Sequence, residues 1–97
     1  MTGTDAITLE RREHTIKHNK DVLYDIKNNA KGQLGSAARK LLSNSEQLAD
    51  YPPEGWDHKK WAYMCSKPYK ERVAIAGALC AAEYDRLVNS ENNANNQ

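Results

Sequence analysis

Leu34, Ala37, Ala38, Leu41 and Leu42 recur at i, i+3, i+4, i+7 and i+8, the spacing that gathers apolar side chains on one face of an α-helix. No stretch alternates apolar and polar residues for long enough to propose a strand, so the fold predicted is all-α. Asp50-Tyr51-Pro52-Pro53-Glu54-Gly55 holds the strongest breakers in the chain, because proline lacks the N–H a helix needs and clashes with the preceding turn. Two helical halves, joined across the paired prolines, are expected to press their apolar faces together. The architecture predicted is a small bundle of four to five helices with a disordered C-terminal tail.

In the first half, Ile7 to His18 reads as a helix with Thr4, Asp5 or Thr8 available to cap it. Val22, Leu23 and Ile26 offer the apolar face of a second helix, or of a continuation of the first. The helix carrying Leu34 to Leu42 should end near Asn44. In the second half, Asp57 can cap a short helix carrying Trp61, Met64 and Cys65, and Pro68 suits the first turn of the next. Along that last helix, Val73, Ala76, Cys80, Tyr84 and Leu87 form one stripe, widened by Ile75, Leu79 and Ala82, and Gly77 with the alanines permits close approach of a neighbour. It is expected to be the central helix, with Cys80 a small core residue. The boundaries expected are a flexible lead-in over 1–6, one helical domain over 7–88 and a polar tail over 89–97, whose Asn-rich composition buries too little apolar surface to offset ordering entropy.

A chain of 97 residues supports one modest core. Fourteen Lys and Arg against thirteen Asp and Glu give a net charge of +1, which removes the bulk electrostatic case for nonspecific nucleic-acid binding and argues equally against an acidic nucleic-acid mimic. Cys65 and Cys80 have fourteen residues between them and no Cys/His cluster around them, a pattern unlike a zinc finger or a disulfide framework. The longest weakly apolar run, Ala74 to Ala82, is far short of the roughly 20 residues that span a bilayer. With no signal peptide in the first twenty residues, a cytoplasmic location and no membrane partner are expected.

Three constellations carry candidate chemistry. Glu10, His14, His18, Asp21 and Asp25 are spaced 4, 4, 3 and 4 apart, which keeps all five within roughly an 80° arc if the helix is continuous through Asn19. Glu10, His14 and His18 are the candidate ligands for a divalent cation, with Glu83 or Asp85 completing the site. The simpler reading is a solvated face paired with Lys17 and Lys20. Glu10 and Glu13 also form a Glu-x-x-Glu pair of the kind that holds magnesium in helical nucleotide pyrophosphohydrolases, although Glu83 and Asp85, two residues apart, point in different directions. The third constellation alternates Trp56, Trp61, Tyr63 and Tyr69 with Lys67, Lys70 and Arg72. Aromatic faces beside cations can stack a base and hold its phosphates, or anchor a partner protein; in a domain without Phe they can equally be the core.

Two stretches carry a resemblance. Glu10-Arg11-Arg12-Glu13-His14-Thr15-Ile16-Lys17-His18 leads to Asp25, Asn29, Gly32-Gln33-Leu34 and Ala37-Ala38; Lys67-Pro68-Tyr69-Lys70-Glu71-Arg72 leads to Ile75-Ala76-Gly77-Ala78-Leu79 and Ala82-Glu83-Tyr84-Asp85-Arg86-Leu87. Over most of residues 9 to 88 the chain resembles small helical proteins encoded by phages and prophages. It departs from them at Asn19, where Gly often follows the His, and at Tyr84, where an aliphatic residue is usual. The resemblance implies a phage context and no particular reaction. Carried over by position, it marks Glu10, His18, Asp25, Gln33, Lys67, Arg72, Glu83 and Arg86 as polar residues that line a shared pocket or form a buried polar network.

A domain this small offers little room for a sequestered active site, so the function expected is nonenzymatic. The leading expectation is a phage accessory protein of the host cytoplasm, a counter-defence factor that binds a host protein or sequesters a nucleotide signal as a homo-oligomer. Its ligand-binding residues would be His18, Asp25, Gln33, Trp61, Lys67, Arg72, Glu83 and Arg86. The rival is a metal-dependent nucleotide hydrolase using Glu10, Glu13, His14, His18, Asp25 and Glu83. A third expectation is inhibition of a host enzyme through Trp56, Trp61 and Tyr63.

Overall fold

A computed structural model describes residues 1–17, 20–43 and 51–95. Among the described residues, five α-helices and one π-helical turn follow one another: α1 (Gly3–Arg12), the π-turn (Glu13–Lys17), α2 (Val22–Asn28), α3 (Gln33–Leu41), α4 (His58–Cys65) and α5 (Tyr69–Asn95). Among the described residues there is no strand. The all-α bundle predicted from periodicity is the fold.

Local chemistry sets most of the helix starts. Thr2 and Asp5 form a capping box, Thr2 Oγ1 accepting from the Asp5 N–H at 3.1 Å and Asp5 Oδ2 from the Thr2 N–H at 3.0 Å. This reciprocal pair starts α1 at Gly3, four residues ahead of the expected start and inside the expected lead-in. Asp21 caps α2 through the Tyr24 N–H, and Asp57 caps α4 through the Lys60 N–H. Gly32, at φ 81°, takes the left-handed turn that separates α2 from α3. Gln33 secures that turn, its Oε1 accepting from the Lys31 N–H at 2.8 Å. α5 runs on through the polar residues after Val88 as far as Asn95.

α5 is the central helix, with α1, α2 and α3 all packed on it. Leu34, Ala37, Ala38 and Leu41 from α3 meet Ile75, Ala76, Leu79 and Ala82 from α5, and Trp61 of α4 is fully buried among them. The α3 face is the one its spacing predicts, except that Leu42 is exposed. The α5 stripe is not. Ile75, Ala78, Leu79 and Ala82 face the core, whereas Val73, Cys80, Tyr84 and Leu87 lie in solvent, because α3 packs on the opposite side of the helix. On α2, Val22 and Ile26 are half-buried and Leu23 is exposed; the fully buried residues there are polar, Asp25 and Asn29.

Arg72 fixes the end of α3. Its Nη1 donates to the carbonyls of Leu41 at 2.9 Å and Ser43 at 2.8 Å, and its Nε donates to that of Lys67 at 3.1 Å. Carbonyls at a helix C-terminus lack intrahelical partners, and a guanidinium supplies them with charge-assisted donors. α1 is held more lightly. None of its residues is fully buried, and its contacts with α5 include Ile7 against Gly77 and an ion pair from Arg11 Nη2 to Asp85 Oδ2 at 3.2 Å.

Candidate functional site

A cavity of about 700 Å³ opens between α1, the π-turn, α2 and α4, above the central part of α5. Its floor is apolar, made by Leu34, Trp61, Ile75, Leu79 and Ala82. Its walls carry both signs of charge. Glu10, Glu13 and His14 come from the first helix and the π-turn, Lys20 and Asp25 from the start of α2, and Asp57, Lys59, Lys60 and Lys67 from α4 and its ends.

A chain of hydrogen bonds ties the rim to the interior. Trp56 Nε1 donates to Asn29 Oδ1 at 2.8 Å, and Asn29 Nδ2 donates to Asp25 Oδ1 at 2.8 Å. Asp25 and Asn29 lie one turn apart on the inner face of α2, so both can turn inward together. The Trp56 ring then meets Trp61 edge to face, centroids 5.9 Å apart and planes at 77°, a favoured aromatic geometry. Burial pushes the Asp25 carboxyl above its ordinary value, against the Asn29 hydrogen bond and the nearby Arg11 charge.

Two lysine–tyrosine pairs flank the opening. Lys20 Nζ lies 5.9 Å from the centre of the Tyr24 ring, and Lys67 Nζ lies 5.1 Å from that of Tyr63, each within cation–π range. Burial, then the Lys60 ammonium, pushes the Lys20 amine below its usual range, while Asp25 and Asp57 pull the other way. On the opposite wall, burial and then the Glu13 carboxylate raise Glu10, with Lys67 offsetting part of the effect. Lys20 and Lys60 therefore share their side of the cavity with Asp25 and Asp57, and Glu10 and Glu13 share theirs with Lys67.

The structure divides the residues singled out from the sequence. Asp25, Trp61, Lys67, Glu10 and His14 all line the cavity. Gln33, Arg72, Glu83 and Arg86 do not. Gln33 and Arg72 hold turns and a helix end, and Glu83 Oε1 accepts from Arg86 Nε in a largely buried pair. Each makes its own local contacts, in three separate places, so these residues neither line one pocket nor join one network. Trp61 is floor rather than an exposed anchor, with no accessible surface.

His18 lies outside the described residues. The single helical face expected for Glu10, His14, His18, Asp21 and Asp25 is not formed, since the helix widens into a π-turn at Glu13, Lys20 is non-helical and Asp21 serves as the cap of α2. Among the described residues no group of three or more His, Cys, Asp or Glu is placed to hold a metal ion.

Tyr24, Asn29, Lys20 and Lys60 also line the cavity but stand out only weakly in the sequence. Asn29 belongs to the stretch that carries the resemblance, and its position four residues after Asp25 suits a side-chain hydrogen bond on a helix.

Comparison of the chain with protein-family models, with curated proteins and with solved structures gives no match. Among the described residues no helix is long and apolar enough to cross a membrane.

Proposed function

We propose that this chain is a nonenzymatic phage accessory protein that binds a small nucleotide in the cavity and acts as a counter-defence factor by sequestering a nucleotide signal in the host cytoplasm. The observation that carries the binding reading is the cavity itself. Its volume of about 700 Å³ falls among those of small-molecule sites, which are mostly apolar with a few placed polar groups. An aromatic base suits the apolar floor beside Trp56, and phosphate oxygens suit Lys20 and Lys60, whose neighbouring ammonium groups an anion would relieve. Asp25 is available to accept from an amino group of the base. The phage and counter-defence parts of the reading rest on the sequence resemblance alone.

Thermal melting of the full chain against a panel of purine and pyrimidine nucleotides tests the binding. A ligand at one hundred times its Kd stabilises the native state by about 2.7 kcal/mol, enough for a clear rise in melting temperature. The rise should vanish in Lys20→Ala/Lys60→Ala and shrink in Trp56→Ala. Melting temperatures indifferent to every nucleotide would remove the reading.

Glu10, Glu13 and His14 on one wall favour a second reading, metal-dependent nucleotide hydrolysis. It is the weaker, because the acids expected from the last helix are engaged, Glu83 with Arg86 and Asp85 with Arg11. Turnover of a nucleotide with magnesium, abolished by Glu10→Gln, would establish it in place of sequestration.

A further inference from the structure

The outer face of α5 is apolar as well as the inner one. Val73, Cys80 and Leu87 are spaced by seven residues and Tyr84 lies beside them, so the four fall within roughly a 40° to 60° arc. All are exposed, Val73 to 41%, Tyr84 to 68% and Leu87 to 46%. On one edge the stripe is bounded by Gly77, on which Ile7 of α1 is seated, and on the other by the buried Ala76. An apolar seam repeating every seven residues suits a second helix packed along it, since that period keeps one face turned to a partner. A helix with apolar residues on two opposite faces is expected where both are covered.

The seam is self-complementary under reversal. Val73 and Leu87 each lie seven residues from Cys80, and the exposed charges at its ends are opposite, Lys70 ten residues before Cys80 and Glu91 eleven after it. A two-fold axis at Cys80 puts Val73 of one copy against Leu87 of the other and Lys70 near Glu91. Parallel copies would instead set like charges together at both ends, which is unfavourable.

We propose that the chain forms an antiparallel homodimer through the Val73–Cys80–Tyr84–Leu87 face of α5, with the two-fold axis at Cys80. The occupant is a second copy because a two-fold at Cys80 sets the apolar Val73 against Leu87 and brings the opposite charges of Lys70 and Glu91 together at both ends of the seam. This proposal is independent of the ligand assigned to the cavity, which lies on the other side of α5.

Sedimentation of the full-length chain is expected to give twice the single-chain mass, falling toward the single mass on dilution. Val73→Lys/Leu87→Lys should sediment as one chain at all concentrations with its helical circular dichroism unchanged, as both sites are exposed. A short bis-maleimide should join wild type and Cys65→Ser into covalent dimers but leave Cys80→Ser uncrosslinked, a readout that holds even if the double-lysine variant folds poorly. Lys70→Glu and Glu91→Lys should each weaken the dimer, and their combination should restore it. A wild-type chain that sediments as a single copy throughout, a dimer that survives both lysines in a folded variant, or crosslinking that does not depend on Cys80 would overturn the interface. Failure of the charge exchange to restore association would overturn the antiparallel arrangement.

Discussion

One nitrogen of Arg72, Nη1, donates to the carbonyls of both Leu41 and Ser43, so a single side chain of α5 closes the open end of α3. Arg72→Ala leaves those carbonyls without their charged donor. Hydrogen bonds to charged groups contribute about 1.5–3 kcal/mol each, and the expected loss is about 2–4 kcal/mol, read as a fall in the urea midpoint with little change in slope. Arg72→Lys should recover only part of it, because an ammonium lacks the guanidinium's fork of donors.

Asp25 makes stability depend on pH in an unusual direction. Its native carboxyl titrates above the ordinary value of 3.8 because of burial, so on raising the pH from strongly acidic the unfolded chain ionises first and gains relative to the native state. The contribution of Asp25 to stability is therefore fully present below 3.8 and is lost as pH passes the raised native value. Asp25→Asn, which can still accept from Asn29, is expected to match wild type at about pH 3 and to exceed it at about pH 7 in urea unfolding. Equal differences at both pH values would show that the ionised form carries no penalty in the fold.

At Gly77, Ile7 of α1 is seated directly on α5. A Cβ there would lie 2.5 Å from Ile7 Cδ1 and 2.7 Å from Cγ1, well inside contact distance. Gly77→Ala should be destabilising, since overpacking of about 1–3 kcal/mol outweighs a gain in helix propensity of about 1 kcal/mol. Shortening the opposing side chain should reverse the sign. In a double-mutant cycle Gly77→Ala with Ile7→Ala is expected to be strongly non-additive.

Nucleotide affinity should weaken on the alkaline side. Lys20 loses its charge below the usual lysine value of 10.5, and a deprotonated amine no longer attracts phosphate. Titration calorimetry at rising pH should therefore show falling affinity for wild type, with that limb flattened in Lys20→Ala. A profile identical in the two proteins would detach Lys20 from the anion.

Much of the fold is legible in the sequence, and the misplaced parts share a cause. Asp57 and Pro68 announce their helix starts because capping depends on a few neighbouring residues. The α3 face is equally plain, because its apolar residues leave a polar opposite side. On α5, Val73/Cys80/Leu87 and Ile75/Leu79/Ala82 both have helical spacing, and periodicity cannot say which meets α3. The π-turn has no composition cue, so the regular spacing from Glu10 to Asp25 gives no sign that the helix changes at Glu13. Of the candidate site, Asp25 is legible from its spacing behind Glu10 and His14, and Trp61 and Lys67 from the alternation of aromatics with cations. Lys20, Tyr24 and Lys60 reach the same cavity only through tertiary packing.

The light seating of α1 gives the domain a soft side. With no side chain wholly enclosed and its Arg11–Asp85 ion pair half in water, the N-terminal coil is the segment expected to detach first, its amides exchanging with deuterium well before those of α3. Because Glu10 and Arg11 belong to the cavity wall, each such excursion would unroof the chamber, and the residence time of a guest would follow how often that happens.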